Sequence, residues 1–436
     1  MVPPRPGLDG APAPDGVPMS TSVQTERMRA NPALGTLVLL VGLNLLNYID
    51  RYILPGAQPL IQHEYGWSDQ QMGALTTAMF ITYMLVAPAT GWLGDRFARK
   101  PLIIGGAVLW SLATLATFWV TDYWTLFFRH ALVGVGEATF GIFAPTVLAD
   151  FYPERERNRI LSIFYTAIPV GAALGYLAGG QLGSMWGWRS PFFICAIPGL
   201  LIAAIYGWIG REPVRGANDH VAATHKRATF RGLLTNPAFL TATFGLAALT
   251  FAMGGISTWV PTFLTRFAGL SVAGASQTVS AITVVDGIAG TVVGGWIAQR
   301  WLRTNHRALY LLSFWSVALT LPFGALVFFG PAKWAIPSLF AAEFFLFLNT
   351  GPLNTAIVNS VSAPVRATAV SLNLFCIHFF GDTFSPQIIG AISDHTRNLR
   401  LGLGATLISL VVSCVVLWFG ARFAPELEEQ AQGIRD

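Results

Sequence analysis

The chain alternates between long apolar stretches and short polar ones. Apolar runs of about 20 residues or more, enough to cross the hydrocarbon core of a bilayer as a helix, recur from residue 33 to residue 423. The short segments between them are rich in Gly, Pro and charged residues, which favour loops. The pattern predicts an all-α membrane protein with twelve transmembrane helices, at residues 33–60, 69–93, 101–120, 123–149, 157–182, 190–210, 237–265, 272–299, 308–329, 333–359, 366–391 and 400–423.

A weak internal repeat divides these helices into two groups. Placing Gly91 on Gly295 aligns GWLGDR with GWIAQR, with Gln299 opposite Asp95. The repeat predicts two six-helix halves, at 31–211 and 233–424, joined by a basic cytoplasmic linker at 212–232. Residues 1–30 are rich in Pro and lack the apolar core of a signal peptide, so we expect a disordered cytoplasmic tail. Residues 425–436 are expected to form a second cytoplasmic tail.

Positive charge is distributed unevenly between the two sides of the predicted bundle. Most of the 27 Lys and Arg residues fall in the tails, the linker and the loops after even-numbered helices. This asymmetry follows the positive-inside rule and predicts that both termini are cytoplasmic. It also accounts for the net charge of +5 without a nucleic-acid partner. The sequence has no Asn-x-Ser/Thr acceptor, which favours a plasma membrane of the bacterial inner-membrane type.

The fourth predicted helix carries three ionisable residues, Arg129, His130 and Glu137, in an apolar setting. A charge near the bilayer centre costs at least ~2.5–3.5 kcal/mol on insertion scales, so such residues indicate a functional site. His130 and Glu137 are seven residues apart, which places them within ~20° of the same helix face. Arg129 lies on a neighbouring face, and its long side chain can swing toward the same space. We therefore expect all three to line one cavity.

The first helix contributes a second polar group, Asp50 and Arg51 within NYIDRY. One interpretation is that the two charges neutralise each other at a helix junction. The other is that Asp50 is titratable and Arg51 is its partner or contacts substrate.

The tenth helix holds Glu343 and Asn349, and Glu343 corresponds roughly to Glu137 in the repeat. Two carboxylates facing a central cavity from opposite halves would form a proton or cation site, although a hydrogen-bonded structural glutamate is the alternative. Three further polar residues are interpreted as structural or gating, namely Asp286, His378 and Asp382.

The loop after the second helix, GWLGDRFARK, combines Gly91, Asp95, Arg96, Arg99 and Lys100 in a tight corner. We expect Asp95 to face a helix N-terminus and the cations to meet anionic groups or lipid headgroups. The segment resembles the loop signature of the major facilitator superfamily, with Ala98 where that family usually has glycine.

Longer segments resemble the Spinster-type lipid transporters of that superfamily. They are NYIDRY, residues 132–176 from LVGVGEATFGIF to GAALGY, and residues 348–394 from LNTGPLNTA to IGAISD. The resemblance implies the major facilitator fold, protonation of Asp50 and Glu137, and a cavity role for Glu343. It also implies a lysolipid or sphingosine phosphate as substrate.

One position departs from the family pattern. The arginine that normally precedes the GEA glutamate by seven residues is His130 here, with Arg129 beside it. Either Arg129 pairs with a headgroup or carboxylate from a neighbouring angle, which we favour, or His130 makes coupling sensitive near neutral pH.

These observations predict a secondary transporter that moves an amphiphilic lipid by alternating access, coupled to protons and surrounded by membrane lipids. The alternative is a proton-coupled symporter of a small polar organic anion, in which the arginines clamp a carboxylate. A membrane enzyme is disfavoured, because the sequence has no HExxH motif, nucleophile elbow or phosphate-binding loop. We expect no metal, no cofactor and a monomer.

Overall fold

A computed structural model describes residues 32–214, 230–361 and 365–426. The predicted tail at 1–30, most of the linker at 212–232 and most of the tail at 425–436 lie outside the described residues. Throughout the described part the regular secondary structure is helical.

The first half contains six long helices: α1 (Pro32–Tyr65), α2 (Asp69–Arg96), α3 (Arg99–Ala116), α4 (Tyr123–Phe151), α5 (Glu154–Leu177) and α6 (Ser190–Ile209). The second half contains α7 (Pro237–Phe267), α8 (Val272–Leu302), α9 (Ala308–Phe329), α10a (Ala335–Phe347), α10b (Thr350–Asn359), α11a (Arg366–Ile377), α11b (Ser385–Thr396) and α12 (Leu399–Gly420). Eleven stretches in the described part are long and apolar enough to cross a membrane.

The remaining predicted span, 366–391, is not one continuous helix. It consists of α11a, a π-helical turn at His378–Asp382 and α11b, and Gly381 leaves the helical region at φ −103°, ψ −107°. Gly381 packs directly against the Ala247 carbonyl and Thr250 of α7, where a side chain would not fit. Pro386 then starts α11b, since a proline near a helix start loses no hydrogen bond. The break therefore comes from packing against α7 as well as from the local sequence.

The two ends of the bundle can be told apart by their contacts. The backbone N–H of Arg211, after α6, donates to Thr36 Oγ1 near the start of α1 at 3.4 Å. Tyr310, at the start of α9, likewise donates to the Ala238 carbonyl at the start of α7. We call this end the terminal face, because α1 starts there and α12 ends there, and the other end the opposite face.

At the opposite face the two halves are held together by a group of polar contacts, which we call the clasp (Asp69, Arg266, Ser393 and Asp394). Arg266 of α7 donates two hydrogen bonds to Asp69 of α2, at 2.8 and 2.7 Å, and Ser393 of α11b donates a third at 2.5 Å. The Asp394 carboxylate accepts the backbone N–H groups of Asp69 and Gln70 at 3.0 and 2.9 Å. These bonds satisfy free donors at the start of α2. The clasp thus closes the opposite face.

Beneath the clasp, the backbones of α2 and α11b touch. A Cβ added at Gly73 would lie 2.3 Å from the Pro386 carbonyl oxygen, and one added at Gly390 would lie 2.4 Å from the Asp69 carbonyl oxygen. Only glycine permits this approach. Nearer the middle of the bundle, Thr77 of α2 donates to the Thr383 carbonyl at 2.7 Å.

Replacing Asp69 with Asn should weaken the clasp and populate an arrangement that is open at the opposite face. In a cysteine-free background, spin labels at the exposed positions Trp119 and Trp334, one in each half, should gain a longer distance component. Glu64→Gln is the matched control, because it removes the 2.9 Å ion pair with Arg189 inside the first half. Equal distance changes in both variants would contradict a specific role for the clasp.

Gly73→Ala should separate α2 from α11b and destabilise the closed arrangement by ~1–3 kcal/mol, the usual cost of overpacking. Thermal unfolding and the same label distances would measure the effect. Gly105→Ala provides the control, since nothing lies within 4 Å of a Cβ added there. Unchanged stability and distances in Gly73→Ala would show that this contact does not hold the halves together.

Candidate functional site

The central feature of the site is an ion pair between the first and fourth helices. Arg51 of α1 donates from Nη2 to Glu137 Oε2 of α4 at 2.5 Å and from Nε to the same oxygen at 3.1 Å. The Glu137 side chain is 0% exposed and that of Arg51 15% exposed. Neither the sequence pattern nor the family resemblance had paired these two residues. Removing one partner of such a buried pair typically costs 3–5 kcal/mol, because it leaves an uncompensated charge.

Aromatic rings surround the Arg51 guanidinium. Its central carbon lies 5.0 Å from the ring centroid of Tyr48, 5.5 Å from Phe80 and 5.8 Å from Tyr83. Rings at this range stabilise a cation through their quadrupoles. We call Tyr48, Phe80 and Tyr83 the aromatic cage. It provides an apolar surface beside a fixed positive charge.

The cage also faces the second half of the protein. The His378 ring lies 6.0 Å from the rings of both Phe80 and Tyr83. His378 Nδ1 is in turn 2.9 Å from Asp382 Oδ1. The π-helical break in α11 places both residues there, whereas the sequence indicated only that they were structural or gating. Gly381 and Pro386 were the signals that could have located the break.

Asp50 lies behind the ion pair, toward α3. It is 4% exposed and accepts a hydrogen bond from Thr114 Oγ1 at 3.3 Å, while no described group donates to its other oxygen. Its carboxyl group lies close enough to Glu137 for the two groups to interact electrostatically. Because Arg51 bonds Glu137, the interpretation in which Asp50 and Arg51 neutralise each other is not the geometry seen here.

His130 and Arg129 point in different directions. His130 is buried, and its ring interacts electrostatically with Arg51. Arg129 is adjacent to the exposed Phe128, its electrostatic partner is Asp122, and its Nη1 bonds no described group. Arg129 and His130 are consecutive and therefore lie ~100° apart on α4. Among the described residues Arg51, and not Arg129, forms the ion pair with Glu137. The pairing of Arg129 with a headgroup stays a prediction.

In the second half, Glu343 and Asn349 lie in different surroundings. Glu343 of α10a is 7% exposed and accepts a long hydrogen bond of 3.5 Å from Thr283 of α8. Asn349 lies at the interruption between α10a and α10b and donates to Ser316 Oγ of α9 at 2.8 Å. The contacts of Asn349 are those of a residue that fixes a helix junction, and they do not bring it to the cage.

The predicted loop motif forms a joint at the terminal face. Arg99 is buried and donates to Asp150 of α4 at 2.6 Å, and Glu212 accepts the backbone N–H groups of Arg99 and Lys100 at 2.7 and 3.2 Å. The Arg96 guanidinium lies 4.0 Å from the Trp92 ring. The predicted roles of Gly91 and Asp95 concern side-chain positions outside the described residues.

Comparisons with known proteins agree with this architecture. The model of the Major Facilitator Superfamily matches residues 40–386. The protein spinster homolog 1 of Xenopus laevis is 34% identical over 386 residues, which cover 83% of this chain and 73% of that protein. The sphingosine-1-phosphate transporter SPNS2 of Danio rerio is 32% identical over 375 residues, which cover 80% of this chain and 74% of that protein.

Solved structures show the same fold. The crystal structure of a bacterial homolog of the human lysosomal transporter Spinster, inward-facing and unoccupied, has a TM-score of 0.81 at 23% identity. It covers 92% of this chain and 98% of that one. The relatives are transporters, not enzymes. Taken with the helical bundle, the repeat and the central ion pair, these matches place the chain in the Spinster family of the major facilitator superfamily, as a multi-pass membrane transporter.

Proposed function

We propose that this transporter moves an amphiphilic lipid with an anionic head, of the lysophospholipid or sphingosine-phosphate type, in exchange or together with protons. The Arg51–Glu137 ion pair inside the aromatic cage carries the proposal. The cation is held deep in the bundle, partly exposed, with rings on several sides. Such a site suits a headgroup charge next to an apolar chain.

Protonation of Glu137 is the proposed switch. When Glu137 is ionised, its carboxylate occupies the Arg51 guanidinium through the 2.5 Å contact. A proton on Glu137 removes the negative charge and leaves Arg51 without a counter-ion in a low-dielectric setting. Arg51 then gains most by binding an anionic headgroup, because charge-assisted hydrogen bonds of arginine to phosphate are strong and often bidentate. Proton and lipid head thus control the same cation.

Asp50 and His130 would modify this switch through charges of opposite sign. Asp50 lies behind Glu137 and adds a like charge when it is ionised, which favours proton uptake by the pair. His130 would add a positive charge next to Arg51 when it is protonated, which favours an anion in the cavity. Both residues remain predicted coupling or binding groups, alongside Glu343 and Asn349. In this proposal Arg51 takes the headgroup contact that the sequence had suggested for Arg129.

Alternating access would follow from release and reformation of the clasp. We propose that the terminal face is the cytoplasmic one, in keeping with the positive-inside charge distribution. With Asp69 and Arg266 paired at the opposite face, the cage would load from the cytoplasm. Opening the clasp would present it to the other side.

The lipid class is supported by the relative in Danio rerio, whose name gives sphingosine 1-phosphate as its substrate. A small organic anion such as a sugar acid would also pair with Arg51 but would leave the aromatic cage without an apolar partner. Parallel measurements of lysophospholipid binding and gluconate binding to the protein in lipid vesicles test this difference. Saturable binding of gluconate alone would overturn the lipid proposal.

Arg51→Gln should weaken lysophospholipid binding at least tenfold, the equivalent of ~1.5–3 kcal/mol for a hydrogen bond to a charged group. Arg129→Gln, a matched control at an arginine of α4, should bind as the wild type does. Titrations in vesicles, with thermal unfolding to check folding, would measure both. Weaker binding in Arg129→Gln, with wild-type binding in Arg51→Gln, would indicate Arg129 as the headgroup partner instead.

Asp50→Asn and Glu137→Gln should each remove the response of transport to an imposed pH gradient while leaving the protein folded. Uptake of a lysophospholipid into proteoliposomes, with and without the gradient, is the measurement. Asp122→Asn serves as control, because hydrogen bonds from Thr125 lower the pKa of this exposed acid and keep it ionised near neutral pH. Gradient-driven uptake at the wild-type level in both test variants would place coupling elsewhere.

A further inference from the structure

The second half contains a pair of buried carboxyl groups that the proposed function leaves unused as a pair. Asp286 of α8 is 0% exposed, and Glu343 of α10a is 7% exposed. The two groups are close enough to interact electrostatically. Thr283, one helical turn before Asp286, donates to Glu343 Oε2 at 3.5 Å, which places both acids at the same α8–α10a contact.

Within residues 32–214, 230–361 and 365–426, no Lys, Arg or His forms an ion pair with either acid. Neither oxygen of Asp286 accepts a hydrogen bond from a described group. On α5, Tyr176 is near enough to Glu343 to interact with it electrostatically, but its hydroxyl donates to the Ser257 carbonyl at 2.6 Å. Glu343 thus has one long hydrogen bond, and Asp286 has none.

Two ionised carboxylates cannot remain together in this setting without a counter-charge. Their repulsion is strong at low dielectric, and each buried unbonded oxygen adds a desolvation cost. One proton held between the two groups removes one charge and supplies an O–H donor to the remaining carboxylate. This is the arrangement of paired carboxyl groups that share a site.

We propose that Asp286 and Glu343 share a proton and form a second proton-binding site, in the half of the protein opposite to Asp50 and Glu137. A resident metal ion fits less well, since no group of three or more His, Cys, Asp or Glu side chains among the described residues is arranged to hold one. The site lies next to the interface between the halves, because Gly287 packs against Pro169 of α5. Gain or loss of this proton would change the charge of α8 beside that interface.

The inference goes beyond the proposed function and can be tested without substrate. Infrared spectroscopy of the purified protein in lipid vesicles detects the C=O stretch of protonated carboxyl groups. Near neutral pH, the variants Asp286→Asn and Glu343→Gln should each lack one such band that the wild type has. Difference spectra against the wild type would show the loss. Glu64→Gln is the control and should lose none, because Glu64 is ion-paired with Arg189 and thus ionised. Thermal unfolding verifies that the near-isosteric variants are folded.

Loss of the same band in both variants would support a shared proton. Loss in only one variant, or in neither, would overturn it. A band that disappears when choline is replaced by Na⁺ in the buffer would also overturn it, in favour of a monovalent cation site. Because neither a lysophospholipid nor a pH gradient is present, these outcomes stand apart from success or failure of the transport assays.

Discussion

The structure depends on one buried positive charge, the Arg51 guanidinium, which requires a counter-charge. Arg51 lies deep among apolar helices, where the Glu137 carboxylate and the rings of the cage are the groups that stabilise it among the described residues. Any change in the charge of Glu137 therefore has to be answered by another anion or by movement of the arginine. In the proposed mechanism, this constraint would link proton binding to cargo binding without a separate coupling device. Because this ion pair joins α1 to α4, the two helices have to keep the relative position that brings Arg51 to Glu137.

The remainder of the bundle brings this charge to the boundary between the two halves. The cage belongs to the first half, yet His378 from the broken α11 lies against it. The clasp and the glycine contact of α2 with α11b join the same two regions at the opposite face. The proposed site and the contacts at the opposite face therefore involve the same pair of elements, α2 and α11. A two-state interface of this kind converts a small local change into a movement of whole halves.

Much of this could be predicted from the sequence because it is local. Apolar run length indicated the spans, and the 3.6-residue period placed His130 and Glu137 on one face, where both are buried. The partner of Glu137 could not be predicted in this way, because Arg51 precedes it by 86 residues and the contact depends on how α1 packs on α4. The position of Asn349 could not be predicted either, since a contact with α9 decides it. The break in α11 had a local signal in Gly381 and Pro386, but it also depends on packing against α7. Arg129 was assigned to the cavity by the reach of its side chain, which does not fix its direction.

The joint at the terminal face has a mechanical consequence. Arg99 fastens α3 to α4, and Glu212, just after α6, holds the first turn of α3. The ends of α3, α4 and α6 are thereby joined by hydrogen bonds, and Glu212 is also close to where the connection to the second half begins. A displacement of Glu212 would therefore act on three helices together rather than on one.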